Sequence, residues 1–174
     1  MRCMNPEPHG PHQYLADADA VTMSPCAGAL SPGRPSIGLW ALGVASAVSS
    51  RGECTRRRVG AVILDVRGRI CGAGYNGAAP GAPSCLDGAC PRALSGVPAG
   101  SSYDTGPGAC IAVHAELNAL LDVSDRSRLD GATLYVTAEP CDGCLKILGN
   151  TEIDAVVYLD EEGNDHVRLL PAGT

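Results

Sequence analysis

The chain has 174 residues, enough for one domain and a tail, with 13 Lys and Arg against 19 Asp and Glu, a net charge of −6. A protein that grips a nucleic-acid backbone needs a basic face, so we expect no nucleic-acid partner. No segment has transmembrane length, and the N-terminus lacks the apolar core of a signal peptide, so we expect a cytoplasmic protein without a membrane partner. The chain has nine cysteines, and in that reducing compartment we expect zinc-bound thiolates rather than disulfides.

The first part of the chain predicts a tail followed by a helix. Residues 1–33 are rich in Pro, Ala, Gly and Ser without periodicity, which is typical of a disordered or loosely packed segment. Residues 34–174 then form the folded domain. Ser36 is a predicted N-cap for a helix that runs to about Ser50.

The next elements are two strands and a long loop. We predict two strands, over 59–64 and 69–75, joined by the short turn 65–68 as an antiparallel hairpin. A Gly- and Pro-rich stretch follows from residue 76 to residue 108. A loop of that length in a compact domain is either functional or held by something, so it is a candidate for a binding role.

The second half alternates helices and strands. We predict a helix from about Val113 with Leu117, Leu120 and Leu121 on its core-facing stripe, and a strand over 132–137. A helix from the Pro140-Cys141 turn and a strand over 155–159 come next. Strand–helix–strand order implies parallel neighbours with helices on both faces of the sheet.

The last segment has two interpretations. Residues 164–170 predict a short helix that is capped by Asn164 and ended by Pro171. The alternative is that residues 166–170 form a short edge strand. Under either interpretation the far edge of the sheet is reduced.

Two motifs in this half carry chemistry. The first is H-x-E, which begins at His114, and the second is P-C-x-x-C, which contains Cys141 and Cys144. One imidazole and two thiolates make a tetrahedral zinc site whose open fourth position takes a water, and the metal lowers the pKa of that water. Glu116 is not a ligand, but its carboxylate is placed to move a proton from that water to a ring nitrogen and a departing amine. H-x-E followed by P-C-x-x-C is the signature of the zinc deaminases.

Less specific interpretations of the motifs explain fewer residues. A C-x-x-C pair alone is typical of a redox site or of structural zinc. A redox site does not require H-x-E upstream, and structural zinc normally takes four protein ligands and has no use for Glu116. The two motifs together therefore favour catalytic zinc.

The chain resembles the deoxycytidylate (dCMP) deaminase family of the cytidine deaminase-like superfamily over about residues 36–174. H-x-E with P-C-x-x-C places it only in the superfamily, and the narrower resemblance rests on longer strings. These are CTRRRVGAV at 54–62, GYNG at 74–77, CIAVHAELNAL at 110–120 and ATLYVTAEPCDGC at 132–144.

The resemblance implies a fold and an activity. The fold is a three-layer α/β/α sandwich around a mixed sheet of four to five strands, and the last strand is expected to be short or missing because the chain stops near Thr174. The implied activity is zinc-dependent hydrolysis of dCMP to dUMP with release of ammonia. The family also implies a homo-oligomer, often a hexamer, and control by dCTP and dTTP.

The resemblance also implies substrate contacts. Asn76 is expected to contact the sugar, and the backbone amide of Ala115 to hold the pyrimidine carbonyl. The carbonyl of Glu139 is expected to accept a hydrogen bond from the leaving amino group, and Val59 to line the pocket. The alternative for Asn76 is a turn residue that tolerates left-handed geometry.

The resemblance also implies a second metal site, because some members of the family have a structural zinc whose ligands match the positions of Cys54 and Cys85. Cys90 and Cys110 would complete a Cys₄ site that ties the long loop to the active-site helix. The alternative is that all four are ordinary buried thiols. Cys71, inside a predicted strand, is expected to be a core residue.

One departure from the family bears on the substrate. An aromatic residue often follows the fourth strand, and here residues 160–162 are Asp-Glu-Glu, which would repel a phosphate if they faced the pocket. That favours a nucleoside, a modified cytidine nucleotide or another aminated heterocycle as the alternative substrate. The segment is otherwise a solvated acidic loop. A non-catalytic, zinc-stabilised regulatory subunit is the remaining alternative, and Glu116 argues against it.

Overall fold

The computed structural model describes residues 34–98, 101–103, 105–106 and 108–171, so the predicted tail lies outside the described residues. None of the helices within those ranges is both long and apolar enough to span a membrane. The helices are α1 (Ile37–Ser49), α2 (Pro91–Leu94), α3 (Ala115–Asp122) and α4 (Asp142–Leu148), with a 3₁₀ turn at Arg126–Leu129. The strands are β1 (Gly60–Leu64), β2 (Ile70–Tyr75), β3 (Ala132–Val136), β4 (Ile153–Leu159) and β5 (Asp165–Leu169).

The five strands form one mixed sheet in the order β2-β1-β3-β4-β5. Strand β1 is antiparallel to both β2 and β3, β3 is parallel to β4, and β5 returns antiparallel to β4. The predicted hairpin and the predicted parallel β3–α4–β4 step are both confirmed. The α/β class is therefore confirmed, and the sheet has five strands.

Helix α1 covers one face of the sheet. It begins as predicted, because the Ser36 hydroxyl accepts a hydrogen bond from the amide of Leu39 at 3.2 Å. Its small inward side chains let it lie close to the central strands and bury their apolar residues. This part of the core comprises Ala41, Leu42, Ala45, Val62, Leu64, Tyr135 and Val157.

Helices α3 and α4 cover the opposite face and complete the three layers. Leu120 and Leu148 are buried there against β1, β3 and β4. The prediction that Leu121 faces the core is wrong, since its side chain is 78% exposed. Successive residues on a helix are about 100° apart, and Leu120 with Ala119 occupies the inner face of this eight-residue helix.

Two glycines set how closely α3 approaches the sheet. A Cβ on Gly72 or Gly74 of β2 would overlap the backbone of α3 at Ala119. The contact is reinforced by the Asn118 amide, which donates to the carbonyl of Tyr75 at 2.7 Å. The first turn of α3 is thereby held beside the end of β2.

The C-terminal segment is a strand, so the predicted helix over 164–170 is wrong and its edge-strand alternative is confirmed. Asn164 does not cap a helix. Its backbone amide donates to the Asp160 carboxylate at 2.8 Å and closes a turn in which Gly163 has φ +86°. Beyond the turn, His166 stacks on Tyr158 of the neighbouring strand at 5.3 Å between ring centroids.

Candidate active site

Three predicted metal ligands meet at the N-terminal ends of α3 and α4. The Nδ1 atom of His114 lies 3.4 Å from the sulfur of Cys141 and 3.3 Å from that of Cys144. Zinc bonds of about 2.0 Å to nitrogen and 2.3 Å to sulfur place ligand atoms about 3.5 Å apart in a tetrahedron. Among the described residues, these three are the group whose ligand atoms all lie within 4.8 Å of one another. The donor set and its spacing therefore fit zinc.

The surroundings of the thiols also call for a cation. Burial raises the pKa of Cys144 far above that of an ordinary thiol, and the neighbouring Glu116 and Cys141 raise it further. A cation at the ligand position reverses this effect, because a coordinated thiol loses its proton. Cys144 also lies in the first turn of α4, whose N-terminal end carries a partial positive charge, and this charge favours a thiolate.

Glu116 lies in the first turn of α3 with only 4% of its surface exposed. Burial raises the pKa of its carboxyl group above the ordinary value, while hydrogen bonding and the nearby His114 act in the opposite direction. A carboxyl group with a raised pKa beside candidate metal ligands is suited to taking up and returning a proton.

A cavity of about 310 Å³ opens next to the ligands, and Glu116 lines it. The four residues expected to contact a substrate all line it as well: Val59, Asn76, Ala115 and Glu139. Residues from four separate segments thus meet at one cavity. The sequence placed them there only through the resemblance.

Asn76 is buried, and its side-chain amide bonds the backbone of the segment that leads into β1. Its Oδ1 accepts from the amide of Val59 at 2.9 Å, and its Nδ2 donates to the carbonyl of Arg57 at 2.9 Å. The left-handed turn alternative does not apply, since every positive φ among the described residues belongs to glycine. A side-chain amide has a second N–H and a second lone pair, so these bonds leave capacity for a ligand.

The cavity wall also contains charged and aromatic residues that the motifs did not assign to it: Arg56, Arg57, Arg92, Tyr103 and Glu161. The signal for the first two was a run of three arginines in an acidic chain. Arg92 and Tyr103 belong to the long loop region and match no motif, so only their tertiary position identifies them.

The residues of the acidic segment 160–162 have different surroundings. Asp160 closes the β4–β5 turn, where its carboxylate receives hydrogen bonds from Asn164 and contacts His166 at 2.8 Å. Glu161 and Glu162 are both exposed. The solvated-loop interpretation therefore fits the exposure of both glutamates, and Glu161 also lines the cavity that Arg57 lines.

The four remaining thiols of interest lie near one another beside this cavity. The sulfurs of Cys90 and Cys110 are 4.0 Å apart. Cys85 and Cys54 are near enough to them for the charges of the four thiols to affect one another. Burial opposes ionisation of Cys90, but hydrogen bonds from the amides of Ile111, Ala93 and Arg92 bring its pKa down to about 7. No three of the four sulfurs, all within the described part of the chain, form a group as closely spaced as the His114 group.

Cys71 lies apart from these thiols, in β2. It is half-buried, and its sulfur contacts the carbonyl of Ile63 in the neighbouring strand at 3.5 Å. Burial raises the pKa of its thiol. Its surroundings are those of a core residue.

Comparisons with known proteins agree with this site. A deoxycytidylate deaminase of Mycobacterium phage D29 is 50% identical over 129 residues, which cover 74% of this chain and 98% of that protein. A deoxycytidylate deaminase of Schizosaccharomyces pombe is 39% identical over 126 residues, 72% of this chain but only 37% of the yeast protein. The crystal structure of dCMP deaminase from cyanophage S-TIM5 in complex with dCMP and dUMP superposes with a TM-score of 0.53 at 25% identity, covering 73% of this chain and 83% of that one.

The family model for the cytidine and deoxycytidylate deaminase zinc-binding region matches residues 39–160. That range contains the three metal ligands, Glu116 and most of the cavity wall. The chain belongs to the cytidine and deoxycytidylate deaminase family.

Proposed function

We propose that the protein is a zinc-dependent hydrolase that converts dCMP to dUMP and ammonia. The observation that carries the proposal is a three-ligand site, formed by His114, Cys141 and Cys144, beside the buried carboxyl group of Glu116 in one cavity. The phage and yeast relatives named deoxycytidylate deaminase support the substrate.

The residues divide the chemistry among them. Zinc bound by the three ligands supplies a Lewis acid that lowers the pKa of a water molecule. Glu116 takes a proton from the water that attacks C4 of the pyrimidine and gives it to N3. It then moves the remaining proton of the new hydroxyl group to the departing amine, so that the C4–N bond breaks and ammonia leaves.

The groups that surround the Glu116 carboxyl bind the nucleoside. The Ala115 amide, at the start of α3, donates to the ring carbonyl, and the Glu139 carbonyl accepts from the amino group. Asn76 contributes its remaining N–H or lone pair to the sugar, and Val59 packs against the nucleoside. Their common position on the cavity wall supports these roles.

Two opposite charges in the cavity bear on the phosphate. The guanidinium of Arg57 is suited to pair with a phosphate dianion. Glu161 favours the second candidate function, the same deamination of a nucleoside, modified cytidine nucleotide or other aminated heterocycle, because its carboxylate repels a phosphate.

Ammonia release from cytidine, deoxycytidine, CMP, dCMP and dCTP distinguishes these functions, with Glu116→Ala as the control. Selective turnover of dCMP by the wild type, and none by the variant, supports the proposal. Preference for an unphosphorylated substrate supports the second candidate. Equal activity of Glu116→Ala and the wild type contradicts the mechanism.

A second, structural zinc at Cys54, Cys85, Cys90 and Cys110 is part of the proposal. The 4.0 Å contact between the sulfurs of Cys90 and Cys110, with Cys54 and Cys85 nearby, supports it. Backbone hydrogen bonds lower the pKa of Cys90, while burial raises the pKa of Cys85 and of Cys110, and a bound cation would lower both. We expect two zinc ions per chain by elemental analysis and one in Cys85→Ser. A single zinc in both proteins contradicts the second site.

We further propose a cytoplasmic homo-oligomer regulated by dCTP and dTTP. Exposed apolar side chains on the outer sides of α3 and α4, Leu121 at 78% and Ile147 at 44% exposure, support a contact between copies. Sedimentation velocity tests the assembly, and dCMP saturation curves with each triphosphate test the regulation. We also propose that residues 1–33 are a disordered or loosely packed tail. Limited proteolysis of the full chain tests this proposal.

A further inference from the structure

Arg92 is buried in the cavity wall, with 4% of its surface exposed. Its guanidinium donates to the carbonyls of Ser102 at 2.9 Å, Ser101 at 3.2 Å and Gly108 at 3.3 Å. A buried guanidinium is costly unless its donors are satisfied, and here loop carbonyls satisfy them. Arg92 therefore bonds two separate points of the loop that precedes α3, residues 101–102 and residue 108.

The same guanidinium lies over Tyr103, with its central carbon 4.0 Å from the centroid of the ring. That distance is within the range of a cation–π contact. The backbone adds a second restraint, because the amide of Cys110 donates to the carbonyl of Tyr103 at 2.7 Å. Arg92 thus contacts one face of the ring, and the hydrogen bond from Cys110 restrains the main chain of Tyr103.

Tyr103 in turn contacts a metal ligand. Its ring and the imidazole of His114 are 4.9 Å apart between centroids, with an angle of 89° between their planes. This is the edge-to-face arrangement that aromatic pairs prefer. A continuous path of contact thus runs from Arg92 through Tyr103 to His114.

Because His114 supplies the only nitrogen of the three-ligand group, the direction of its ring decides whether the group closes on a metal ion. We propose that Arg92 and Tyr103 are positioning residues that hold the His114 imidazole at the zinc site. The kinetic part of this inference rests on the proposed function, whereas the metal-site geometry does not.

The test uses protein loaded with Co²⁺, whose visible absorption bands report ligand geometry without any substrate. We expect Tyr103→Leu to shift these bands and to lower kcat for dCMP about tenfold, the low end of effects seen when a group that orients a metal ligand is lost. KM should change much less than kcat. Tyr103→Phe keeps the ring and should restore both the bands and kcat.

Arg92→Lys tests the other half of the pair. Lysine keeps the charge but loses the planar fork that holds the loop carbonyls and covers the ring. We expect a band shift in the same direction with smaller amplitude. Should Tyr103→Leu fail to fold by circular dichroism, the folded Arg92→Lys variant decides the test.

Matched controls come from elsewhere in the fold. Tyr158→Leu removes a ring that stacks on His166 at 5.3 Å, and Arg128→Lys alters the guanidinium that pairs with Asp65. Both should leave the Co²⁺ bands unchanged. If Tyr103→Leu also leaves them unchanged and lowers only the melting temperature, the pair is merely structural and the inference is wrong.

The outcomes separate this inference from the proposed function. Shifted bands in Tyr103→Leu, with no turnover of dCMP by the wild type, would support the positioning pair and reject the substrate. The opposite result is turnover of dCMP by the wild type, with unaltered Co²⁺ bands and kcat in Tyr103→Leu and Arg92→Lys. It would support the proposed function and reject the positioning pair.

Discussion

The Nδ1 atom of His114 lies 3.3 Å from the sulfur of Cys144, although 30 residues separate them along the chain. One side chain precedes α3 and the other lies in α4, and both helices pack on the same face of the sheet. The site therefore depends on the packing of two helices as well as on its motifs.

Loss of one ligand should empty this site. Changing a group that only orients a ligand costs about 10- to 100-fold in metal affinity, so Cys144→Ala should cost more and abolish turnover. Zinc content by elemental analysis checks this. Cys71→Ser, a change at a thiol away from the site, serves as the control, and full zinc content at the His114 group in Cys144→Ala contradicts the assignment.

Removal of the Glu116 carboxylate should separate metal binding from chemistry. Glu116→Gln keeps the shape of the side chain but cannot accept the proton, so we expect kcat to fall about 10²- to 10⁴-fold. Zinc content and melting temperature should stay near wild type. Turnover within a few-fold of wild type would show that another group moves the proton.

The two charges at the cavity should act in opposite directions on phosphate binding. We expect Arg57→Gln to raise KM for dCMP about tenfold, since a charge-assisted hydrogen bond is worth about 1.5 kcal/mol or more. KM for deoxycytidine should not change. Arg58→Gln is the matched control, because the neighbouring Arg58 side chain bonds the carbonyl of Ser50 instead.

Neutralising Glu161 tests the other charge. Glu161→Gln should lower KM for dCMP about threefold, the scale of an exposed charge interaction. Paired measurements on dCMP and deoxycytidine isolate the effect on phosphate. A higher KM for dCMP in this variant would mean that the carboxylate contacts the substrate favourably.

The close packing of α3 on β2 should be sensitive to one methyl group. Gly74→Ala places a Cβ against the backbone of Ala119, and overpacking of this kind costs about 1 to 3 kcal/mol. Urea unfolding measures the difference. Gly96→Ala, where nothing lies within 4 Å of the new Cβ, is the control, and equal stability of both variants would disprove the contact.

A pH-dependent contribution to stability is expected from Asp65, which joins the β1–β2 turn to Arg128 at 2.6 Å. Burial opposes ionisation, but hydrogen bonds from Arg69, Arg128 and Arg67 outweigh it and lower the pKa of this carboxyl group. A lowered pKa in the folded state stabilises the protein above the unfolded value near 4, and the stabilisation is lost as pH falls through the folded value.

Asp65→Asn should therefore cost about 1 to 2 kcal/mol at pH 7 and progressively less below pH 4. Urea unfolding at pH 7 and pH 3 measures this, with the exposed Asp130→Asn as the control. A cost that is the same at both pH values would show that the interaction does not depend on the charge.

The sequence by itself predicted the candidate ligands, the candidate proton carrier and most element positions, and the structure brings those side chains together. His114, Glu116, Cys141 and Cys144 were identifiable because catalytic zinc demands these residue types at short, local spacing. The Ser36 cap and the hairpin were predictable for the same reason, since caps and turns depend on neighbouring residues.

Only the tertiary structure decided which residues complete the site. Asn164 fits a helix cap and a turn equally well, and the pairing of β5 with β4 selected the turn. The position of Glu161 at the cavity and the contact of Arg92 with Tyr103 depend on segments that have no periodic pattern. Such contacts arise from long-range packing, which local propensity does not encode.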